Sequence, residues 1–87
     1  MSSRSYSVRV TVRLSSGVND PQGNTVRAAL VALGHVDVRD VRVGKVIDLV
    51  LVAGSEGEAR ERAERMCREL LANPVIETFR TEVVGEA

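Results

Sequence analysis

The sequence predicts an α+β domain of βαββαβ, ferredoxin-like order, in which an antiparallel sheet carries two helices on one face. Three observations predict it. Val8, Val10, Val12 and Leu14 alternate with Arg9, Thr11 and Arg13, the period of a strand with one buried side. Two stretches of helical spacing follow the capping residues Asp20 and Ser55. Between them, residues 40–52 hold two β-branched runs that meet at Gly44-Lys45, the pattern of a hairpin whose turn needs the conformational freedom of glycine.

Taken in order, residues 1–5 are small and polar and read as a disordered tail, residues 6–84 as one domain, and residues 85–87 as a second tail. After the first strand, Ser15-Ser16-Gly17-Val18-Asn19 is a loop. Asp20-Pro21-Gln22-Gly23 then opens a helix, with Asp20 as N-cap and Pro21 at the first helical position, where a missing N–H costs nothing. Val26, Ala29, Leu30 and Leu33 recur at helical spacing, and Gly34 is the expected stop. Val36 and Val38 are out of phase with Val41 and Val43, which predicts a bulge or a late start in the second strand.

In the third strand Ile47, Leu49 and Leu51 point one way and Val46, Val50 and Val52 the other, so both faces need cover. Ser55 and Glu58 form a capping box for the longest helix, whose apolar stripe is Ala59, Ala63, Met66, Cys67, Leu70 and Leu71. Its opposite face carries four Glu–Arg pairs at i,i+4, from Glu56–Arg60 to Glu64–Arg68. Asn73-Pro74 ends it. Residues 76–84 are the last strand, with Phe79, Thr81 and Val83 on one side and Arg80 and Glu82 on the other.

A chain of 87 residues with two aromatic side chains, Tyr6 and Phe79, and no Trp has a thin core. Ordering it costs on the order of 130 kcal/mol at about 1.5 kcal/mol per residue, so the two-sided apolar strand predicts a homo-dimer or a higher homo-oligomer. Twelve basic residues balance twelve acidic ones, a balance that provides no field for nucleic acid or an anionic membrane. One cysteine excludes an internal disulfide and a multi-cysteine metal site. The absence of a signal-peptide pattern and of an apolar run near ~18 residues predicts a cytoplasmic protein.

No catalytic constellation is visible. His35 stands in a loop without metal-ligating neighbours, Cys67 lies on an apolar helix stripe, and Asp20 before Pro21 reads as a cap rather than an acid or base. Gly44-Lys45 lacks the flanking residues of a phosphate loop. Ser15-Ser16-Gly17-Val18 is a poor match to the anion-cradling loop of an acylphosphatase, and the strands lack the stacking aromatics of an RNA-recognition domain.

Three collinear motifs go further: Asp20-Pro21-Gln22-Gly23, Asp40-Val41-Arg42-Val43-Gly44-Lys45, and Leu70-Leu71-Ala72-Asn73-Pro74-Val75-Ile76-Glu77, with Leu33-Gly34-His35 between the first two. In this order and spacing they resemble the PurS family, the small subunit of bacterial phosphoribosylformylglycinamidine synthase, over residues 6–84. Departures are confined to Asn19 and to Thr78-Phe79-Arg80-Thr81. The resemblance implies a subunit that is not catalytic alone and holds no cofactor or metal. It would join a large ATP-dependent synthetase subunit to a glutaminase subunit for ammonia transfer in purine biosynthesis. Arg42, Gly44, Lys45 and Asn73 are the expected partner-binding residues, with Arg42 and Lys45 as exposed cations on the hairpin; Asp20, Pro21 and Gly34 are the expected structural ones. The alternative reading is a small ligand-sensing regulatory module of the same fold, which would need a Gly-rich polar loop after the first strand, where only Gly17 and Gly23 are available.

Overall fold

The computed structural model describes residues 3–87. Its elements are β1 (Arg4–Leu14), α1 (Pro21–Ala32), β2 (Gly44–Ala53), α2 (Glu56–Met66) and β3 (Glu77–Glu86). The α+β class and the antiparallel sheet stand as expected: β1 is the central strand of a three-stranded sheet ordered β2-β1-β3, antiparallel to both neighbours.

The alternation of β1 has the predicted effect. Tyr6, Val8, Val10 and Val12 are buried on one face, where Leu51 of β2 and Val83 and Phe79 of β3 flank them. Helix α2 lies on this face and meets the valines with Ala59, Ala63 and Cys67, all fully buried. Small side chains let the helix approach closely, which compensates for the lack of aromatics. Ser55 caps α2 by accepting from Glu58 N–H, and the Glu58 carboxylate reaches back to Gly54 N–H at 2.8 Å, one residue beyond the usual capping box.

Helix α2 runs on into a π-helical segment, Cys67–Leu71, closed by Ala72 N–H to Cys67 O. The wider turn needs more residues per revolution, so it brings Leu71 and Ala72 back to the sheet. Leu70, expected in the apolar stripe, falls short of that face and is 82% exposed. The i,i+4 pairs expected along α2 also give way. Arg62 donates to Val52 O, and the ion pairs among the described residues are Arg4–Glu86 and Arg9–Asp48, both between strands.

Three further details differ from the sequence reading. The expected second strand does not form: residues 40–43 are irregular, the chain does not reverse at Gly44-Lys45, and β2 begins there instead. The backbone that a hairpin would use is held elsewhere, since Val43 N–H donates to Asp20 Oδ2. Second, one helix rather than two covers the sheet face, because α1 contributes no residue to either core cluster. Third, the tails are shorter than expected. Strand β1 starts at Arg4, β3 continues to Glu86, and Ala87 N–H donates to Ser5 O; the first two residues of the expected tail lie outside the described residues.

Helix α1 extends the molecule. The Cα radius of gyration is 16.8 Å, whereas a compact chain of this length has about 12 Å. The longest dimension is 57 Å; a strand of this length accounts for about 35 Å and a twelve-residue helix for about 18 Å, so α1 continues beyond the end of the sheet.

Position along α2 decides tolerance to substitution. Ala63→Leu, which forces extra methylenes between helix and sheet, is expected to destabilise by about 1–3 kcal/mol. Leu70→Ala is expected to change stability by less than about 0.5 kcal/mol. Urea unfolding followed by circular dichroism measures both.

Candidate functional site

The end of the sheet from which α1 departs is the most constrained part of the chain. Asp20 is 4% exposed, and its carboxylate is shared: Oδ1 accepts from Gly23 N–H at 2.9 Å and Oδ2 from Val43 N–H at 2.7 Å. These two amides hold the Asp20 carboxyl below the usual carboxylate range, against the opposing effect of burial, and the nearby Arg42 charge adds to it. With both oxygens engaged by backbone donors, Asp20 is a clamp between the start of α1 and the approach to β2.

Gly23 completes the clamp. A Cβ at this position would stand 2.1 Å from Val41 O, so only glycine lets the first turn of α1 lie against the 41–43 backbone. At the other end of the helix, Gly34 has φ +109°, with Gly34 N–H donating to Val31 O and His35 N–H to Leu30 O, a Schellman closure. Arg27 donates through Nε to Val38 O and Arg39 O, both at 3.1 Å. Helix α1 and residues 35–43 therefore form one unit, tied by backbone contacts rather than by apolar packing.

The expected partner-binding residues separate into two groups. Arg42 is half-buried and donates from Nη2 to Ser15 O at 3.1 Å, so it supports the β1–α1 loop. It is not an exposed cation on a hairpin tip. Lys45 is exposed at the start of β2, beside Gly44, whose Cβ position would lie 2.7 Å from Val12 O. A shallow cleft of about 290 Å³ joins Asp20, Val43, Gly44 and Lys45 to Glu77 of β3. Asn73 shapes the turn before β3: its Oδ1 accepts from Val75 N–H, and its carbonyl accepts from Ile76 and Glu77 N–H. Pro21 stands at the first position of α1.

His35 is exposed and Cys67 is buried beneath α2, where desolvation, with Glu64 adding to it, pushes the thiol up and keeps it protonated. The second face of the sheet is uncovered, as the two-sided alternation of Val46, Val50 and Val52 implies. Val46, Val50 and Val52 of β2 and Val84 of β3 are all more than half exposed there. The Arg9–Asp48 pair, with Glu82 opposite Arg9 on β3, forms a charged row below Val50 and Val52.

Residues 7–85 match the PurS family, phosphoribosylformylglycinamidine (FGAM) synthase. The PurS subunit of phosphoribosylformylglycinamidine synthase from Synechocystis is 43% identical over 83 residues, covering 95% of this chain and 83% of that one. The crystal structure of Methanocaldococcus jannaschii PurS, a subunit of formylglycinamide ribonucleotide amidotransferase, superposes with a TM-score of 0.83 at 38% identity over 92% of this chain and 96% of that chain. A chain of PurLQS from Thermotoga maritima superposes with a TM-score of 0.83 at 31% identity, over 92% of this chain and 98% of its own length.

Removing the clamp has a defined pH signature. A lowered folded-state pKa means that the Asp20 contribution is complete above about pH 4 and is lost as the pH falls through the folded-state value. Asp20→Ala is therefore expected to lower the urea midpoint at pH 7, with the gap to wild type closing as the pH falls below about 4. Gly23→Ala is expected to destabilise by about 1–3 kcal/mol at pH 7.

Proposed function

Because the chain belongs to the PurS family of phosphoribosylformylglycinamidine (FGAM) synthase, we propose that it acts as that enzyme's assembly subunit, holding a synthetase and a glutaminase subunit together for ammonia transfer in purine biosynthesis. The observation that carries the reading is the amount of surface the fold leaves uncovered. Val50 is 68% exposed in the middle of a sheet face, and the arm formed by α1 and residues 35–43 exposes Leu33 at 77% and Val36 at 75%. Apolar patches of this kind on a small chain mark interaction sites. The T. maritima PurLQS chain with the same fold supports the same reading.

The homo-oligomer belongs to the proposal. A second copy laid on the Val46, Val50, Val52 and Val84 face gives the thin core its missing layer, and a two-fold contact uses the same patch twice. The arm and the Lys45 corner then remain free for the other subunits. A cytoplasmic site of action is part of the same reading; among the described residues no helix is long and apolar enough to cross a membrane.

Two substitutions test the two surfaces. Val50→Lys is expected to leave the circular dichroism spectrum unchanged and to weaken self-association at least about tenfold in sedimentation, as a charge buried in a contact requires. Lys45→Glu is expected to reduce glutamine-driven product formation by about tenfold, with the ammonium-driven rate within about twofold of wild type. Equal loss of both rates in an intact complex would reject the ammonia-transfer role.

A further inference from the structure

Two arginines outside the ion pairs of the described residues gather at the α1 end of the sheet. Arg13, near the end of β1, stands opposite Gly44 on β2 and Thr78 on β3. A Cβ at Gly44 would lie 3.1 Å from Arg13 Cγ, so the glycine leaves room for the arginine stem. Arg42 arrives at the same end from the segment before β2 and uses one N–H on Ser15 O. Between them lies a cleft of about 530 Å³ lined by Arg13, Arg42, Ser16, Gly17, Asp40 and Thr78, within the range of about 300–1,000 Å³ for small-molecule sites. Within the lining, two guanidinium groups stand against the one carboxylate of Asp40; the buried Asp20 carboxylate lies near Arg42 but is already held by two backbone amides. Among the described residues the salt bridges are Arg4–Glu86 and Arg9–Asp48, so neither Arg13 nor Arg42 is neutralised by an ion pair.

We propose that this cleft binds the phosphate group of a small phosphorylated sugar. A phosphate presents three acceptor oxygens in a tetrahedral array, a match for a cleft whose lining holds two guanidinium groups, Arg13 and Arg42, and two hydroxyls, Ser16 and Thr78; a planar carboxylate is saturated by a single fork. The loop at Ser15-Ser16-Gly17 lacks an anion-binding sequence of its own, and the cations come instead from a strand and from the 40–43 segment, which only the fold brings together. The inference rests on the family reading for the choice of sugar alone, since the synthase is named for a phosphoribosyl compound.

The test is an NMR titration of the full chain with ribose 5-phosphate, inorganic phosphate and ribose at constant ionic strength. Ribose 5-phosphate is expected to shift the amides of Ser16, Gly17, Arg42 and Thr78 saturably, and ribose to shift none of them. Arg13→Gln is expected to weaken binding at least about tenfold, with Arg13→Lys, a point charge without the fork, between it and wild type. Thr78→Val on β3, expected to weaken binding about threefold or more, keeps the test independent of how Arg13 variants fold. Tighter binding of the ester than of inorganic phosphate assigns the site to a phosphorylated sugar, and equal binding assigns it to phosphate itself. No saturable shift, the same shifts with chloride, or unchanged affinity in Arg13→Gln would overturn the proposal. None of these readouts involves the synthetase or glutaminase, so failure here leaves the assembly role standing, and failure of assembly leaves the cleft standing.

Discussion

A single carboxylate decides the shape of this chain. Asp20 divides its two oxygens between Gly23 N–H, at the start of α1, and Val43 N–H, at the approach to β2. Both amides would otherwise be unpaired donors in a crowded junction, and a buried unpaired amide is costly. Once Val43 is committed to Asp20 and Val41 O lies against Gly23, residues 40–43 cannot also serve as a sheet edge. The four-stranded plan therefore contracts to three strands, and α1 departs from the end of the sheet instead of folding over it.

The remaining sheet is sided. On one face the valines of β1 meet Ala59 and Ala63 of α2 and Cys67 just after it, a thin layer of small side chains flanked by Tyr6, Leu51 and Phe79. On the other face the valines of β2 and Val84 meet solvent around a row of charges. A monomer of this form leaves much of its apolar area in water, which is the physical reason to read it as part of an assembly. The cap residues and the buried thiol are each engaged in holding the fold.

Much of the candidate site was legible in the chain itself. Asp20 before Pro21, with Gly23 three residues after the cap, is a helix start by local rules, and Gly34 a helix stop; both act through backbone geometry within a few residues. Arg42 was not legible in the same way. Alternation with Val41 and Val43 places it on an exposed face only if those residues form a strand, and they do not. Its partner is a carbonyl 27 positions earlier, Ser15 O, and nothing in local spacing points to it. The out-of-phase valines at 36, 38, 41 and 43 were the one signal that the strand was in difficulty.

By itself, the sequence determined the features that depend on near neighbours: the alternation of β1, the two faces of β2, the caps of both helices, and three motifs whose order and spacing identify the family. Tertiary structure decided whatever depends on competition for the same backbone group. Val43 N–H could pair with a strand or with Asp20, and the carboxylate won because it joins two donors with one buried charge. Leu70 could follow the stripe of α2 or leave it, and the π-turn at Cys67 carried it to solvent so that Leu71 and Ala72 could reach the sheet. Such outcomes rest on contacts between residues distant in the chain, which periodicity and capping rules do not contain.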